Sequence, residues 1–190
     1  MSVLSRPARR QAGVTLVEML VAVVLVSLVA AIAIPQASSV SPAVVNAAGA
    51  EVAHAIRYAQ REAVRTGKYY VAEIDPAKQT VRVYRLVTSG TATVEDTDNP
   101  VMHPVDKQPY RITLAGNAAM RAVVASSVFT YAADTTSDVT FGPDGTPVDV
   151  NFVKGKVAAG ALSADGAVLL RSGAASRTVT VDKITGRVRF

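Results

Sequence analysis

Arg9 to Gln36 reads RRQAGVTLVEMLVAVVLVSLVAAIAIPQ, and the fold of the chain turns on this stretch. From Val14 to Ile34 there are 21 residues, of which only Thr15, Glu18 and Ser27 are polar. A membrane-spanning helix needs roughly 20 such residues at 1.5 Å rise each. The run therefore predicts one transmembrane helix, and no second run like it follows in the 190 residues. Glu18 is out of place for a plain anchor, because a charge at mid-bilayer costs on the order of 2.5–3.5 kcal/mol.

Charge supports a membrane topology more than a polyanionic partner. Arg6, Arg9 and Arg10 precede the apolar run, and no acid comes before Glu18. The chain carries a net +5, yet without residues 1–13 its 17 Lys and Arg face 15 Asp and Glu. Flanking positive charge stays cytoplasmic and sends the C-terminal part outward. A secretory signal peptide places its small-residue cleavage site after the apolar core. Here Gly13 lies before it, so a cut there leaves the helix on the mature protein. The absence of cysteine excludes a disulfide framework and thiolate metal sites.

Beyond Pro35 the pattern becomes amphipathic. Val45, Ala48, Val52, Ile56, Ala59 and Ala63 recur at three- and four-residue steps, one face of a helix. Arg57, Arg61 and Arg65 form an i, i+4, i+8 row elsewhere on its surface, and Gly67 suits a C-terminal cap. Val14 to Gly67 thus predicts a nearly continuous helix kinked at Pro35. From Tyr69 onward strands dominate. YYVAEI and TVRVYRLV flank the turn DPAKQ, Thr88 to Pro109 reads as a long polar loop, and RITLA, AVVASSVFTYA, DVTFG, VDVNFV, GAVLLR and RTVTVD follow. GPDGTP and DKITG are turn signals between neighbouring strands. One long helix followed by strands is the α+β class with an antiparallel sheet.

AGVTLVEMLVAVVLVSLVAAIAIP resembles the class III signal of type IV pilins and of the pseudopilins of type II secretion. In that family prepilin peptidase cuts after the glycine and methylates the new N-terminus. The resemblance implies processing between Gly13 and Val14 and N-methylation of Val14. Counted from Val14, Thr15 is second, Glu18 fifth and Pro35 twenty-second, the family's positions for glutamate and proline; valine stands where the family usually begins with phenylalanine. Thr15, Glu18 and Pro35 are the implied assembly residues. In a filament, Glu18 of one subunit would pair with the Val14 amine of its neighbour, offsetting the cost of a lone buried charge. EVAHAIRYAQREAVRTGKYYVAEID, VTFGPDGTPV and ITGRVRF are similar to the GspH/FimT group of minor pilins and pseudopilins. The implied fold is pilin-like, a long N-terminal helix, transmembrane in its first half, packed on an antiparallel β-sheet domain.

Two further stretches invite chemical readings. From Gly166 onward Arg171, Arg177, Lys183, Arg187 and Arg189 face only Asp182, a local excess suited to salt-sensitive contact with DNA phosphates. Lys183, Arg187 and Arg189 are the residues expected to make it; a charged edge strand that deters aggregation is the plainer reading. EDTDN, Glu95 to Asn99, lacks the glycine and terminal glutamate of a calcium loop and reads as a solvated loop. His54 and His103 stand alone, and no catalytic or nucleotide-binding motif is present.

The expected organisation is a basic leader at 1–13, a transmembrane and filament-core helix at 14–35, an amphipathic continuation at 36–67 and a periplasmic β domain at 68–190. The implied protein is a structural subunit without a cofactor and without enzymatic activity. It sits in the bacterial inner membrane with its N-terminus cytoplasmic, and later in a filament. Its implied partners are prepilin peptidase, other pilin or pseudopilin subunits, the assembly platform and, through the basic C-terminus, DNA. The type II secretion pseudopilus is the first assignment. A FimT-type minor pilin in pilus assembly and DNA uptake is the second, and an uncleaved, signal-anchored periplasmic binding domain the third.

Overall fold

The computed structural model describes residues 15–33, 40–90, 92–114, 121–132, 134–153 and 156–190. The chain divides into two units, one ending at Val40 and one beginning at Ser41. The cut-site residues Gly13 and Val14, and the expected kink at Pro35, lie outside the described residues.

The first unit holds α1, Leu16–Ala33, whose described side chains are exposed all round. Leu16 is 81% and Val29 67% exposed, which suits a helix whose solvent is not water. Ser27, a polar interruption in mid-helix, is satisfied by donating its hydroxyl to the Val23 carbonyl at 2.7 Å. Among the described residues no helix is long and apolar enough to cross a membrane. The 18 described residues of α1 rise about 27 Å at the standard pitch.

The second unit holds α2, Val40–Thr66, from Ser41 onward. Val45, Ala48, Val52, Ile56, Ala59 and Ala63 are all at most 1% exposed, so the sequence periodicity is the buried face. Gly67 ends the helix at φ +68°, donating its amide to the Ala63 carbonyl at 2.9 Å.

Twelve strands follow among the described residues: β1 Tyr70–Asp75, β2 Thr80–Ser89, β3 Ala92–Glu95, β4 Arg111–Thr113, β5 Val123–Thr130, β6 Thr135–Thr136, β7 Asp138–Phe141, β8 Pro147–Val153, β9 Lys156–Ala161, β10 Gly166–Ser172, β11 Ala175–Val181 and β12 Val188–Arg189. They form two antiparallel sheets. The larger runs β3-β2-β1-β7-β8-β9, with β4 also pairing β2; the smaller runs β12-β11-β10-β5-β6. The fold is α+β and pilin-like.

The inner faces of both sheets share one apolar cluster with α2, including Ile74, Val81, Phe129, Phe141, Val168, Leu170 and Val179. Gln79 joins the two sheets. Its side-chain amide pairs with Val124 as a strand backbone would, accepting from the amide at 2.7 Å and donating to the carbonyl at 2.9 Å. Gln79 holds φ +55° to do so.

Two expectations need correction. The stretch Thr88–Pro109 is not one long loop: β2 continues to Ser89, β3 pairs with it from Leu86↔Glu95 to Ser89↔Ala92, and Met102 bridges Pro109. Nor is Asp96 solvated. It is 6% exposed, ion-paired to Arg85, and accepts the Asn99 amide at 3.2 Å. Burying that carboxylate is tolerated because a guanidinium and an amide replace the lost water.

Candidate functional site

Two regions hold the residues singled out in the sequence. At the start of α1, Thr15 is the N-cap. Its carbonyl accepts from Met19 at 3.2 Å and its hydroxyl accepts the Glu18 amide at 3.3 Å. Thr15 and Glu18 thus stand in the Ser/Thr-x-x-Glu relation of a capping box. A carboxylate in the first turn also opposes the positive end of the helix dipole, which gives Glu18 a local role beside any role toward a neighbour.

The second region lies where α2 meets the C-terminal segment. Asp182 organises the turn before β12, accepting amides from Ile184 at 3.1 Å and Thr185 at 2.8 Å and the Thr185 hydroxyl at 2.9 Å. Those donors hold its carboxyl below the usual aspartate range. Gly186 completes the turn at φ +67° and sits so close to α2 that a Cβ there would lie 2.7 Å from Gln60 Nε2. Gln60 clamps two turns at once, donating to the Gly145 carbonyl at 2.8 Å and to the Thr185 carbonyl at 3.0 Å. Beside it, Arg57 donates to the Val188 carbonyl at 3.0 Å and lies 5.6 Å from the Phe190 ring centre.

These contacts deliver Arg187 to an open cavity of about 480 Å³, lined by Arg57, Gln60, Arg61, Thr185, Arg187 and Val188. Three arginines line it and, among the described residues, no Asp or Glu does. Among the described residues, Arg61 and Arg187 make no side-chain hydrogen bond or ion pair. The other two cations expected to act with Arg187 point to different partners. Arg189 lies 3.7 Å from Asp182, and the Lys183 amine lies 3.4 Å from the Ser163 carbonyl. Pairing Arg189 with Thr180 also sets its side chain on the opposite sheet face from Val188, which is buried.

A second depression of about 430 Å³ lies between α2 and the Asn99–Pro104 loop. Its cations are already engaged: Arg65 by Glu62 at 2.6 Å, Arg85 by Asp96, and Lys107 by the Pro104 carbonyl at 2.8 Å. Tyr58 seals its floor, donating to the Met102 carbonyl at 3.1 Å and stacking 5.0 Å from Tyr110. Burial pushes the Tyr110 hydroxyl up to about 12, so it stays neutral. His103 packs edge-on against the same ring. Among the described residues no three His, Asp or Glu side chains converge as a metal site.

The sequence row Arg57, Arg61, Arg65 thus splits in the fold: the first two line one cavity with Arg187, and the third is taken by Glu62. The i, i+4 spacing was visible beforehand; its meeting with a turn more than a hundred residues later was not.

Comparison with known proteins decides the family. Residues 8–34 match the prokaryotic N-terminal methylation motif, and residues 48–186 match the family described as Type II transport protein GspH. The chain belongs to the GspH family. No curated protein and no solved structure matches it. The GspH family is structural rather than enzymatic, and the methylation motif implies processing by prepilin peptidase and assembly with other pilin subunits. A GspH chain with that motif is a type II secretion pseudopilin or a pilin-like relative, anchored in the inner membrane with a periplasmic domain.

Proposed function

We propose that this GspH chain is a minor pseudopilin of a type II secretion system. Prepilin peptidase cuts after Gly13 and methylates Val14; the segment 14–35 holds the subunit in the inner membrane and then enters the filament core. Residues 36–67 continue the helix into the periplasm, and residues 68–190 present the β domain at the filament surface. Glu18 of one subunit pairs with the Val14 amine of the next, which sets axial register on leaving the membrane. Thr15 holds the helix start from which Glu18 projects, and Pro35 marks the passage from membrane to periplasmic helix. One observation carries the reading: the methylation motif and the GspH domain stand in tandem, covering residues 8–34 and 48–186.

The rival is a type IV pilus subunit that touches DNA through Lys183, Arg187 and Arg189. Deleting the gene in its own bacterium separates the two. The secretion reading expects exported enzymes to accumulate in the periplasm while DNA uptake continues. Intact secretion with lost DNA uptake would assign the chain to the pilus instead.

A further inference from the structure

We propose that the cavity between α2 and the Thr185–Val188 segment is a carboxylate site that takes an acidic side chain from a neighbouring pilin subunit. The proposal rests on the reading of this chain as a filament subunit.

Arg57, Arg61 and Arg187 line a single opening that, among the described residues, no Asp or Glu shares. Gln60 ties down the turn that bears Arg187, through the Thr185 carbonyl at 3.0 Å, and Arg57 is anchored to Val188 at 3.0 Å. An anion that enters meets positive charge with no competing carboxylate in the lining. Arg61 and Arg187 are exposed and unpaired among the described residues, so their donors are free to accept it.

The geometry favours one carboxylate over a nucleic-acid backbone. A strand of DNA is gripped by cations spaced along a track, with aromatic faces for exposed bases. Here Arg57, Arg61 and Arg187 line one opening rather than a track, while Arg189 is drawn to Asp182 and Lys183 to Ser163. The Phe190 ring already lies beside two guanidinium groups, Arg57 at 5.6 Å and Arg177 at 5.8 Å. A planar guanidinium fork matches a carboxylate with two parallel hydrogen bonds, and a partner that covers the cavity excludes the water that would screen them.

The test uses the full chain assembled into filaments in its own host. Arg61→Lys and Arg187→Lys keep the charge and supply an amine that a carbodiimide couples directly to a touching carboxylate. The expected result is a crosslink from position 61 or 187 to an Asp or Glu of another pilin subunit, absent from wild-type filaments. The double variant Arg61→Glu, Arg187→Glu should be processed and inserted normally, yet its incorporation should fall about tenfold or more. Normal incorporation of that double variant, or lysine variants that incorporate without such a crosslink, overturns the proposal. So does salt-sensitive binding of a duplex oligonucleotide by the wild-type chain that disappears in the double variant, which would assign the cavity to phosphate. A wild-type chain that is neither cut after Gly13 nor found in filaments removes the subunit reading itself, and the carboxylate site with it.

Discussion

The Gln60 side-chain amide donates to the Thr185 carbonyl at 3.0 Å, joining the middle of α2 to the turn that precedes the last strand. The same nitrogen reaches the Gly145 carbonyl at 2.8 Å, so one residue holds two turns against the helix. Replacing it by leucine keeps the bulk and leaves two carbonyls without their donor. Gln60→Leu should lower stability by about 1–2 kcal/mol in thermal unfolding of the chain. An unchanged midpoint would mean that water replaces the amide at both carbonyls.

Gly186 and Gly67 share a left-handed backbone but differ in what surrounds them. A Cβ at Gly186 would lie 2.9 Å from the Gly145 carbonyl oxygen and 2.9 Å from Phe141, whereas nothing lies within 4 Å at Gly67. Gly67→Ala should cost about 1 kcal/mol from backbone strain alone. Gly186→Ala adds a clash with backbone and should cost about 2 kcal/mol or more. Equal losses in chemical denaturation would contradict the close approach of turn and helix.

Asp138 pairs directly with Glu73 across β1 and β7, a like-charge arrangement that weakens the sheet. Burial is the main cause of its raised carboxyl pKa, with Glu73 and Asp149 adding to it and a Thr136 hydrogen bond opposing. Glu73 itself is drawn to Arg82 at 2.5 Å. A raised acid binds its proton more tightly folded than unfolded, so charging it costs stability as pH rises through the folded value. Asp138→Asn should therefore stabilise the chain by about 0.5–1 kcal/mol at neutral pH. The gain should shrink as pH falls toward ~3.9, the unperturbed aspartate value. Melting curves across that range check the sign; a gain that grows on acidification would refute it.

Several of these elements were legible in the sequence and others were not, for physical reasons. The α2 stripe from Val45 to Ala63 was readable because helix burial repeats at 3.6 residues, and every member is buried. The β1–β2 hairpin was readable from the Asp75-Pro76 turn, where the Asp75 carboxylate accepts the amides of Ala77 and Lys78 at 2.9 Å. β3 was hidden because ATVE lies in a polar stretch and takes its strand form from pairing with β2. β9, KVAAGA, has Val157 as its one β-branched residue and no aromatic, so little marks it as a strand. Arg57 and Arg61 looked like a solvated helix face, since their meeting with Arg187 depends on tertiary closure through Gln60 and Gly186.

Glu18 is the residue whose cost inside an apolar run calls for a function. Glu18→Ala should leave membrane insertion intact, because it removes a charge from the span, and should reduce incorporation into filaments. Quantifying mutant against wild type in sheared filaments checks this. Equal incorporation would restrict Glu18 to its local role in the first turn of α1, beside the Thr15 cap.

The most direct test of the whole account is the N-terminal mass of the protein recovered from membranes, with and without prepilin peptidase. The account predicts a species beginning at methylated Val14, found only when the peptidase is present. A chain still carrying residues 1–13 in both strains would contradict it, and would make the apolar helix a plain anchor.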